Sequence, residues 1–309
     1  MTTEKMDIYY GKSDVSTYRT YASPLTGITT IPESSFSGRS NTLLAASINV
    51  RVLGTAFASA YTEGDNRLVV ATDTMKNFIH RESLAFGGAT LEEWLEFIGR
   101  RFLETYPHME RLHVSGTEIP FQRALVPGAD GGFIESEVLF GREHGDRSTA
   151  SLDLDRAGDG IEVTDLSAGR VGLQMMKVTG SAFADFARDA YTTLPERKDR
   201  PLYIHLDVGW KYDSPVTALA ADHRQYVAGE QVADMVGAVF HRFVSLSIQH
   251  LIHEIGQAML ERWPQLSEVS FDAQNRLWDL SETSTTDDKV KVYTDPRPPY
   301  GHLGLTLRR

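Results

Sequence analysis

The order in which apolar periodicity changes along the chain restricts its fold more than any other feature. Alternating apolar patterns typical of strands come first, a helix-period pattern follows, and alternating patterns return; the second half runs through the same order. Runs of strands separated by helices, without strict strand–helix alternation, are typical of α+β proteins with antiparallel sheets. We therefore predict an α+β chain with two similar domains, 1–146 and 147–309, a division that its length of 309 residues also favours.

The clearest helix of the first half begins after Thr90. Thr90 and Glu93 have the spacing of a capping box, in which two side chains satisfy backbone N–H groups at a helix start. Pro107 marks the end of the pattern, so we predict one helix between these points. Its apolar face consists of Leu91, Trp94, Leu95, Ile98 and Phe102.

Strand patterns surround this helix. The polar run from about Ser23 to Ser40 is rich in Ser, Gly, Thr and Pro, and it is predicted to be a long loop. The segments of the first half predicted as strands are those around 8–10, 45–61, 66–72, 111–126 and 133–143.

The second half contains a longer helical region, roughly 229–262. Ser245 and Ser247 are expected to divide it, with Ser247 as the N-cap of the second helix. The segments predicted as strands around this region are 161–178, 202–212, 266–275 and 289–294.

Composition restricts partners and location. The formal net charge of −11 argues against binding nucleic acid or an anionic membrane, because both need clustered positive charge. No run approaches the ~20 apolar residues of a membrane span, and the segment 1–7 lacks the apolar core of an export signal. The absence of cysteine fits a reducing cytoplasm. We expect a cytoplasmic protein that attracts any anionic substrate through a few local cations and helix N-termini.

Common cofactor motifs do not match. Neither a phosphate-binding loop nor a dinucleotide-binding glycine pattern occurs. His250, His253 and Glu254 have helical spacing but do not form the H-E-x-x-H pattern of zinc enzymes, and polar positions on a half-buried helix explain them better. We expect neither a metal nor an organic cofactor.

Five short segments carry a resemblance to a known family. Each is weak alone, but together they occur in the family's order between about residues 9 and 299. They are Tyr10-Gly11-Lys12, Val70-Ala71-Thr72-Asp73-Thr74-Met75-Lys76-Asn77, Phe183-(x)7-Tyr191-Thr192-Thr193-Leu194-(x)5-Arg200, Ile248-Gln249 and Asn275. In this respect the chain resembles the urate oxidase (uricase) family, with 23–44 as an expected loop insertion.

The resemblance implies catalytic roles for Lys12, Thr72 and Asn275. Without the resemblance, Lys12 is interpreted as a surface lysine and Thr72 as a capping residue. In the family the matching lysine is desolvated beside the threonine and transfers protons, a role that burial favours by lowering a lysine pKa. Thr72 also lines the oxygen site, and Asn275 holds oxygen or water above the substrate ring.

The resemblance also implies the substrate contacts. Phe183, otherwise a core residue, becomes the ring on which a flat purine stacks. Arg200 becomes a forked donor to the urate anion, and Gln249 binds its opposite edge. Ile248 donates its backbone N–H at a helix start, and the backbone of Asp73 donates from the neighbouring subunit.

One position departs from the family pattern. Two residues after the asparagine, well-known members carry a histidine that relays protons, whereas this chain has Leu277. Leucine neither donates nor accepts a proton. Either Lys12 and Thr72 suffice through water, another group substitutes for the histidine, or the activity is reduced.

The resemblance implies a fold and a reaction. The fold is two tandem tunnelling-fold domains, with antiparallel sheets and helices on one face, assembled as a homotetramer with sites at subunit interfaces. The reaction is oxidation of urate by molecular oxygen to 5-hydroxyisourate and hydrogen peroxide without a cofactor. Two alternatives stay open: a catalytically weak urate- or purine-binding tetramer, and an enzyme of the same fold acting on another purine or a pterin.

Overall fold

The computed structural model describes residues 6–142, 145–158 and 160–309. They form two compact units. The first unit contains the described residues up to Thr30, then Phe36–Gly169 and Lys211–Val227; the second contains Ile31–Ser35, Arg170–Trp210 and Ala228–Arg309. The predicted division of the sequence after residue 146 stays a prediction. Residues 1–5 of the segment expected to lack an export signal lie outside the described residues.

Twelve strands and six α-helices occur in the part of the chain described here. The strands are β1 (Tyr9–Thr20), β2 (Leu43–Leu53), β3 (Arg111–Glu118), β4 (Phe121–Pro127), β5 (Phe133–Arg142), β6 (Arg147–Ala157), β7 (Gly160–Lys177), β8 (Leu202–Tyr212), β9 (Leu266–Arg276), β10 (Leu280–Thr283), β11 (Lys291–Tyr293) and β12 (Gly301–Arg308). The helices are α1 (Ala58–Thr62), α2 (Thr72–Ala85), α3 (Leu91–Thr105), α4 (Pro215–Ala218), α5 (Gly229–Arg242) and α6 (Ile248–Arg262). None of these helices is long and apolar enough to cross a membrane.

In the first unit, a sheet with the order β1-β2-β3-β6-β7 supports α2 and α3. β1 pairs with β2, β2 with β3, and β3 with β6, always antiparallel, as the sequence predicts. α3 packs against β3 and β6, because its apolar stripe faces alternate residues of those strands. The core includes Ile48, Val50, Leu112, Val114, Leu152, Leu154, Trp94, Leu95, Ile98 and Phe102.

The helix predicted after Thr90 is confirmed. Thr90 Oγ1 accepts a hydrogen bond from the backbone N–H of Glu93 at 3.2 Å, and Glu93 Oε2 accepts one from the N–H of Thr90 at 3.0 Å. Both halves of the capping box are therefore formed, which stabilises the start of α3.

The strand predicted at 66–72 is wrong. The run Leu68-Val69-Val70 has strand-forming composition, but Leu68 is 44% exposed, and the N–H of Val70 donates to the Tyr10 hydroxyl at 2.9 Å. α2 then begins at Thr72, and its buried stripe consists of Met75, Ile79 and Ser83. With two apolar residues in that stripe, the helical periodicity is too weak to read. The segment 45–61 is also shorter as a strand than predicted, because β2 ends at Leu53 and α1 follows.

The run from Ser23 to Ser40 is a loop, as predicted. Leu25 and Arg39 exchange backbone hydrogen bonds of 2.8 and 3.0 Å across it. Gly38 has a φ of +136°, and a Cβ there would lie 2.2 Å from the Leu25 carbonyl oxygen, so the close crossing requires glycine. That this loop is an insertion stays a prediction.

In the second unit, the sheet order is β7-β8-β9-β12, and α6 packs against β9 and β12. β8 has the predicted bounds, and the helical region divides as predicted, with Ser247 as the N-cap of α6. β12 is missing from the prediction although Leu303, Leu305 and Leu307 alternate; it pairs antiparallel with β9. The strand predicted at 289–294 is β11, which pairs with β10 in a separate two-stranded ribbon.

Candidate functional site

Lys12 lies beside an irregularity in the pairing of β1 with β2. It pairs with Val50, and the register then shifts by a β-bulge before Val15 pairs with Ile48. A bulge turns side chains out of the regular strand alternation. Gly11 is required beside it, because a Cβ there would lie 1.9 Å from the Val50 carbonyl oxygen. The Lys12 side chain itself is half-buried.

Thr72 and Asp73 are the first two residues of α2, and both are exposed. The N-cap residue, Ala71, has no side chain that can cap the helix, so first-turn N–H groups can donate to a bound anion. Lys76 Nζ donates to Asp73 Oδ1 at 2.5 Å. That hydrogen bond, with a smaller contribution from the charge of Lys12, holds the pKa of Asp73 below its usual range. The structure thus places Lys12 near the start of α2.

Phe183 and Arg200 lie together in the second unit. The guanidinium carbon of Arg200 is 5.3 Å from the centroid of the Phe183 ring. The Arg200 side chain is partly buried, and desolvation lowers its pKa. Its Nε is buried with no hydrogen-bond partner in the described chain. An unpaired buried donor costs about 1–3 kcal/mol, so a ligand that accepts from this nitrogen recovers free energy.

A second ring that was not among the predicted site residues lies at this place. Phe186 stacks on Phe183 with centroids 5.0 Å apart and an interplanar angle of 13°. The Phe183 ring is thus in contact with a second aromatic ring, and the Arg200 guanidinium lies over it. The Phe183-x-x-Phe186 spacing was the signal available in the sequence.

Ile248 and Gln249 form the start of α6. Ser247 Oγ accepts from the N–H of His250 at 3.0 Å, so the N–H groups of Ile248 and Gln249 come first in the helix, where no intrahelical acceptor exists. Ile248 is buried and Gln249 is exposed. This arrangement offers backbone donors and a side-chain amide at the positive end of a helix dipole.

Asn275 lies near the end of β9, opposite Gly301 of β12. Its Oδ1 is buried and, among the described residues, has no hydrogen-bond partner. Leu277, beyond the end of the strand, is 43% exposed. The asparagine therefore has an acceptor that a bound molecule can satisfy, whereas the position of the family histidine is an exposed apolar side chain.

The predicted residues fall into two groups. The first, the Lys12 group, consists of Lys12, Thr72 and Asp73 in the first unit. The second, the Arg200 group, consists of Phe183, Arg200, Ile248, Gln249 and Asn275 in the second unit. The assignment of substrate contacts to these residues stays a prediction.

The His250, His253 and Glu254 set does not have metal-site geometry. Glu254 Oε1 lies 3.9 Å from His250 Nε2 and 3.6 Å from His253 Nδ1. Across residues 6–142, 145–158 and 160–309, no group of three or more His, Asp or Glu side chains is arranged to hold a metal ion. That the chain functions without a metal stays a prediction.

Comparison with known proteins places the chain in a family. The uricase family profile matches residues 8–147 and 166–304. The chain is 46% identical to the uricase of Haloferax volcanii over 301 residues, which covers 97% of each chain. It is 45% identical to the uric acid degradation bifunctional protein of Bacillus sp. (strain TB-90) over 97% of its own length, but spans only 60% of that relative.

A solved structure extends the similarity to three dimensions. The crystal structure of Bacillus sp. TB-90 urate oxidase superposes with a TM-score of 0.94 at 44% identity, covering 98% of this chain and 99% of that one. The α+β fold with antiparallel sheets is therefore the tandem tunnelling fold predicted from the resemblance. Since the profile covers most of both halves and the identity extends over nearly the whole chain, the chain belongs to the uricase family.

Proposed function

We propose that the chain is a urate oxidase that uses molecular oxygen without a metal or an organic cofactor. The observation that carries the proposal is the partly buried Arg200 guanidinium, which lies beside Phe183 with an unpaired Nε. A planar purine anion fits such a site, because the aromatic ring stacks on it and the guanidinium neutralises it through forked hydrogen bonds.

The remaining residues of the Arg200 group complete the substrate site. Gln249 binds the edge of urate opposite Arg200, and the N–H of Ile248 donates to the anion at the start of α6. Asn275 holds oxygen or water above the ring: its amide N–H groups can donate to either molecule, and its buried Oδ1, which otherwise lacks a partner, can accept from water. Binding in one orientation supplies much of the rate enhancement, because the translational and rotational entropy of bringing the reactants together is lost on binding and not in the reaction step.

The Lys12 group supplies proton transfer and the second wall. Thr72 lines the oxygen site, Lys12 exchanges protons through Thr72 and water, and the backbone of Asp73 donates to urate bound by a neighbouring subunit. We propose, as the resemblance implies, that the active protein is a homotetramer with its sites at subunit interfaces. We also propose a cytoplasmic location, supported by the acidic, cysteine-free composition.

The reaction balances without a further reductant. Urate gives two electrons to dioxygen, which adds to the ring as a hydroperoxide. One water then supplies the hydroxyl oxygen of 5-hydroxyisourate while the peroxide leaves as hydrogen peroxide. The protein binds urate, orients it and moves protons.

A direct assay tests the proposal. Purified protein is mixed with urate in air, with and without a chelator, while urate absorbance and peroxide are followed. We expect equal turnover in both samples and one peroxide formed per urate consumed. Turnover that disappears with the chelator contradicts the cofactor-free reaction, and no loss of urate contradicts the activity.

Leu277 favours a second candidate, a urate-binding protein with little catalysis. An exposed leucine at the relay position removes one proton-transfer group, a loss that typically costs about 10²–10⁴-fold in rate. Such a protein binds urate at equilibrium and leaves its absorbance unchanged in air. Binding and turnover measured on one preparation distinguish the two candidates.

A further inference from the structure

Three chain segments of the second unit meet at Gly180. We call this place the Gly180 junction and define it by Lys177, Gly180, Asp199 and Ser245. Phe183 follows Gly180 by three residues, Arg200 follows Asp199 directly, and Ile248 follows Ser245 by three residues. The junction therefore lies close in sequence to every residue of the Arg200 group except Asn275.

Lys177 joins the first segment to the end of α5. Its Nζ donates to the carbonyl oxygens of Phe243 at 2.6 Å and Phe240 at 3.0 Å, with a third contact to His241 at 3.5 Å. The last carbonyls of a helix have no intrahelical donor, and the helix dipole favours a cation there. Lys177 thereby holds the loop between α5 and α6, which leads directly to Ile248 and Gln249.

Asp199 joins the first segment to Arg200. Its carboxylate accepts from the Thr179 hydroxyl and from the backbone N–H of Gly180, both at 2.7 Å. The Thr179 hydrogen bond, with those from backbone N–H groups, holds the pKa of Asp199 below its usual range. The backbone N–H of Arg200 in turn donates to the Ser181 carbonyl at 2.8 Å.

Backbone bonds close the junction. Ser245 donates its N–H to the Gly180 carbonyl at 3.3 Å, and its own carbonyl accepts from Ala182 at 2.8 Å. Gly180 has a φ of +77°, and a Cβ there would lie 3.1 Å from Lys177 Cε. Glycine is favoured by this backbone conformation, and the absence of a side chain leaves room for Lys177 to pass.

We propose that Lys177 and Asp199 are positioning residues that set the distance between the Arg200 guanidinium and the start of α6. This inference rests on the proposed function, in which those two elements hold opposite edges of urate. Neither residue contacts the substrate. Lys177 holds the loop that leads to α6, and Asp199 holds the backbone before Arg200, both against the segment that contains Gly180. If the hydrogen bonds of either residue are lost, Arg200 and the start of α6 can move relative to each other. Urate then binds more weakly, while urate that is bound still reacts.

The test compares Lys177→Met with Lys177→Arg. Methionine keeps the length of the side chain but cannot donate, whereas arginine retains donors for the α5 carbonyls. We expect KM and the anaerobic equilibrium Kd for urate to rise about tenfold in Lys177→Met, because small displacements of binding groups have large effects. The kcat value changes much less, and Lys177→Arg recovers most of the affinity.

Two further variants complete the test: one alters the second positioning residue, and one controls for the loss of a surface charge. Asp199→Asn is expected to raise KM in the same direction with little change in kcat. Lys289→Met, at an exposed lysine between β10 and β11, should leave KM and kcat unchanged. An unchanged KM in both Lys177→Met and Asp199→Asn, or equal loss of kcat in both, overturns the proposal.

Hydrogen exchange separates this inference from the proposed function. In Lys177→Met, we expect faster amide exchange in 179–183 and 243–249 together, with unchanged exchange in α3. If the unmodified protein does not oxidise urate, the proposed function fails, and the exchange result alone decides the inference. Unchanged exchange in those two segments overturns the junction whatever the activity.

Discussion

The helix that begins at Thr72 and the helix that begins at Ile248 both present first-turn N–H groups, but they are held differently. α2 has an alanine at its N-cap and two exposed residues after it, and the preceding segment is tied to β1 by the Tyr10–Val70 hydrogen bond. α6 has a serine cap, a buried first residue and a preceding loop fixed by Lys177. The Arg200 group is therefore pre-organised within its own unit, while the Lys12 group presents an exposed edge.

This difference indicates different roles for the Arg200 group and the Lys12 group. The pre-organised group is suited to binding, because rigid donors lose little entropy when the anion arrives. In the homotetramer proposed above, another subunit would cover the exposed residues Thr72 and Asp73 of the Lys12 group. Substitutions in the two groups should therefore affect different kinetic constants.

The largest effect is expected for Arg200→Met. It removes a charged fork of donors from a partly buried site, and hydrogen bonds to charged groups contribute about 1.5–3 kcal/mol each. We expect kcat/KM for urate to fall about 10³-fold, mainly through KM, with Arg200→Lys recovering little because lysine cannot form the fork. Steady-state kinetics measures both constants. A KM within threefold of the unmodified protein's would show that the Arg200 group does not bind the substrate.

Lys12→Met tests the other side of the comparison. If Lys12 transfers protons, kcat should fall about 10²-fold while KM changes little, because general acid–base catalysis contributes to the transition state rather than to binding. Lys76→Met is the matched control, since Lys76 is also beside Asp73 but is assigned no proton-transfer role. A rise in KM without a fall in kcat would assign Lys12 to binding, and the two groups would then not differ in role.

The sequence predicted best those elements that carry strong local signals, in either unit. β8, the α5–α6 division and the Ser247 cap carry strong local signals: strict alternation, two apolar stripes and a capping residue. α2 was missed because two apolar residues make its buried stripe, and Leu68-Val69-Val70 imitates a strand. Local pattern therefore fails where a helix is held mainly by contacts distant in sequence.

The candidate residues were identified by resemblance, but their supports were not. The contact between Lys177 and the α5 carbonyls spans more than 60 residues of sequence, and no local pattern announces it. The same holds for Phe186, whose stacking on Phe183 depends on how the 183–200 segment folds back through the Phe183–Arg197 bridge. Motifs identify the residues that contact a ligand, whereas the folded structure identifies the residues that hold those contacts in place.

The two units should also differ in the pH dependence of their stability. Burial raises the pKa of Glu92, in the first unit, to about 7 from an ordinary value of 4.5; its carboxylate accepts from the Tyr226 hydroxyl at 3.1 Å. Because the folded-state pKa is raised, the stability present below about pH 4.5 is lost as the pH rises towards 7. The total loss is about 3 kcal/mol.

Glu92→Gln removes this titration. Below pH 5 the variant should be no more stable than the unmodified protein, and at pH 8 it should be more stable by about 2–3 kcal/mol. Denaturant unfolding at several pH values measures the difference, and hydrogen exchange should locate it in α3. Glu93→Gln is a poor control because Glu93 belongs to the capping box, so Glu104→Gln, on the exposed end of α3, is preferred. Parallel pH profiles for Glu92→Gln and the unmodified protein would contradict the buried acid.

The smallest effect is expected at Leu277. Asn275 and Leu277 are two residues apart at the end of β9, so their side chains leave the chain on the same side if the extended backbone continues. A histidine at 277 would then lie near the molecule held by Asn275 and restore a group that titrates near neutral pH. We expect Leu277→His to raise kcat by up to about tenfold, with a new pH dependence near 6–7, while Leu277→Val changes neither. If kcat is unaffected by histidine, proton transfer in this chain does not pass through position 277, and the Lys12 group is left to carry it.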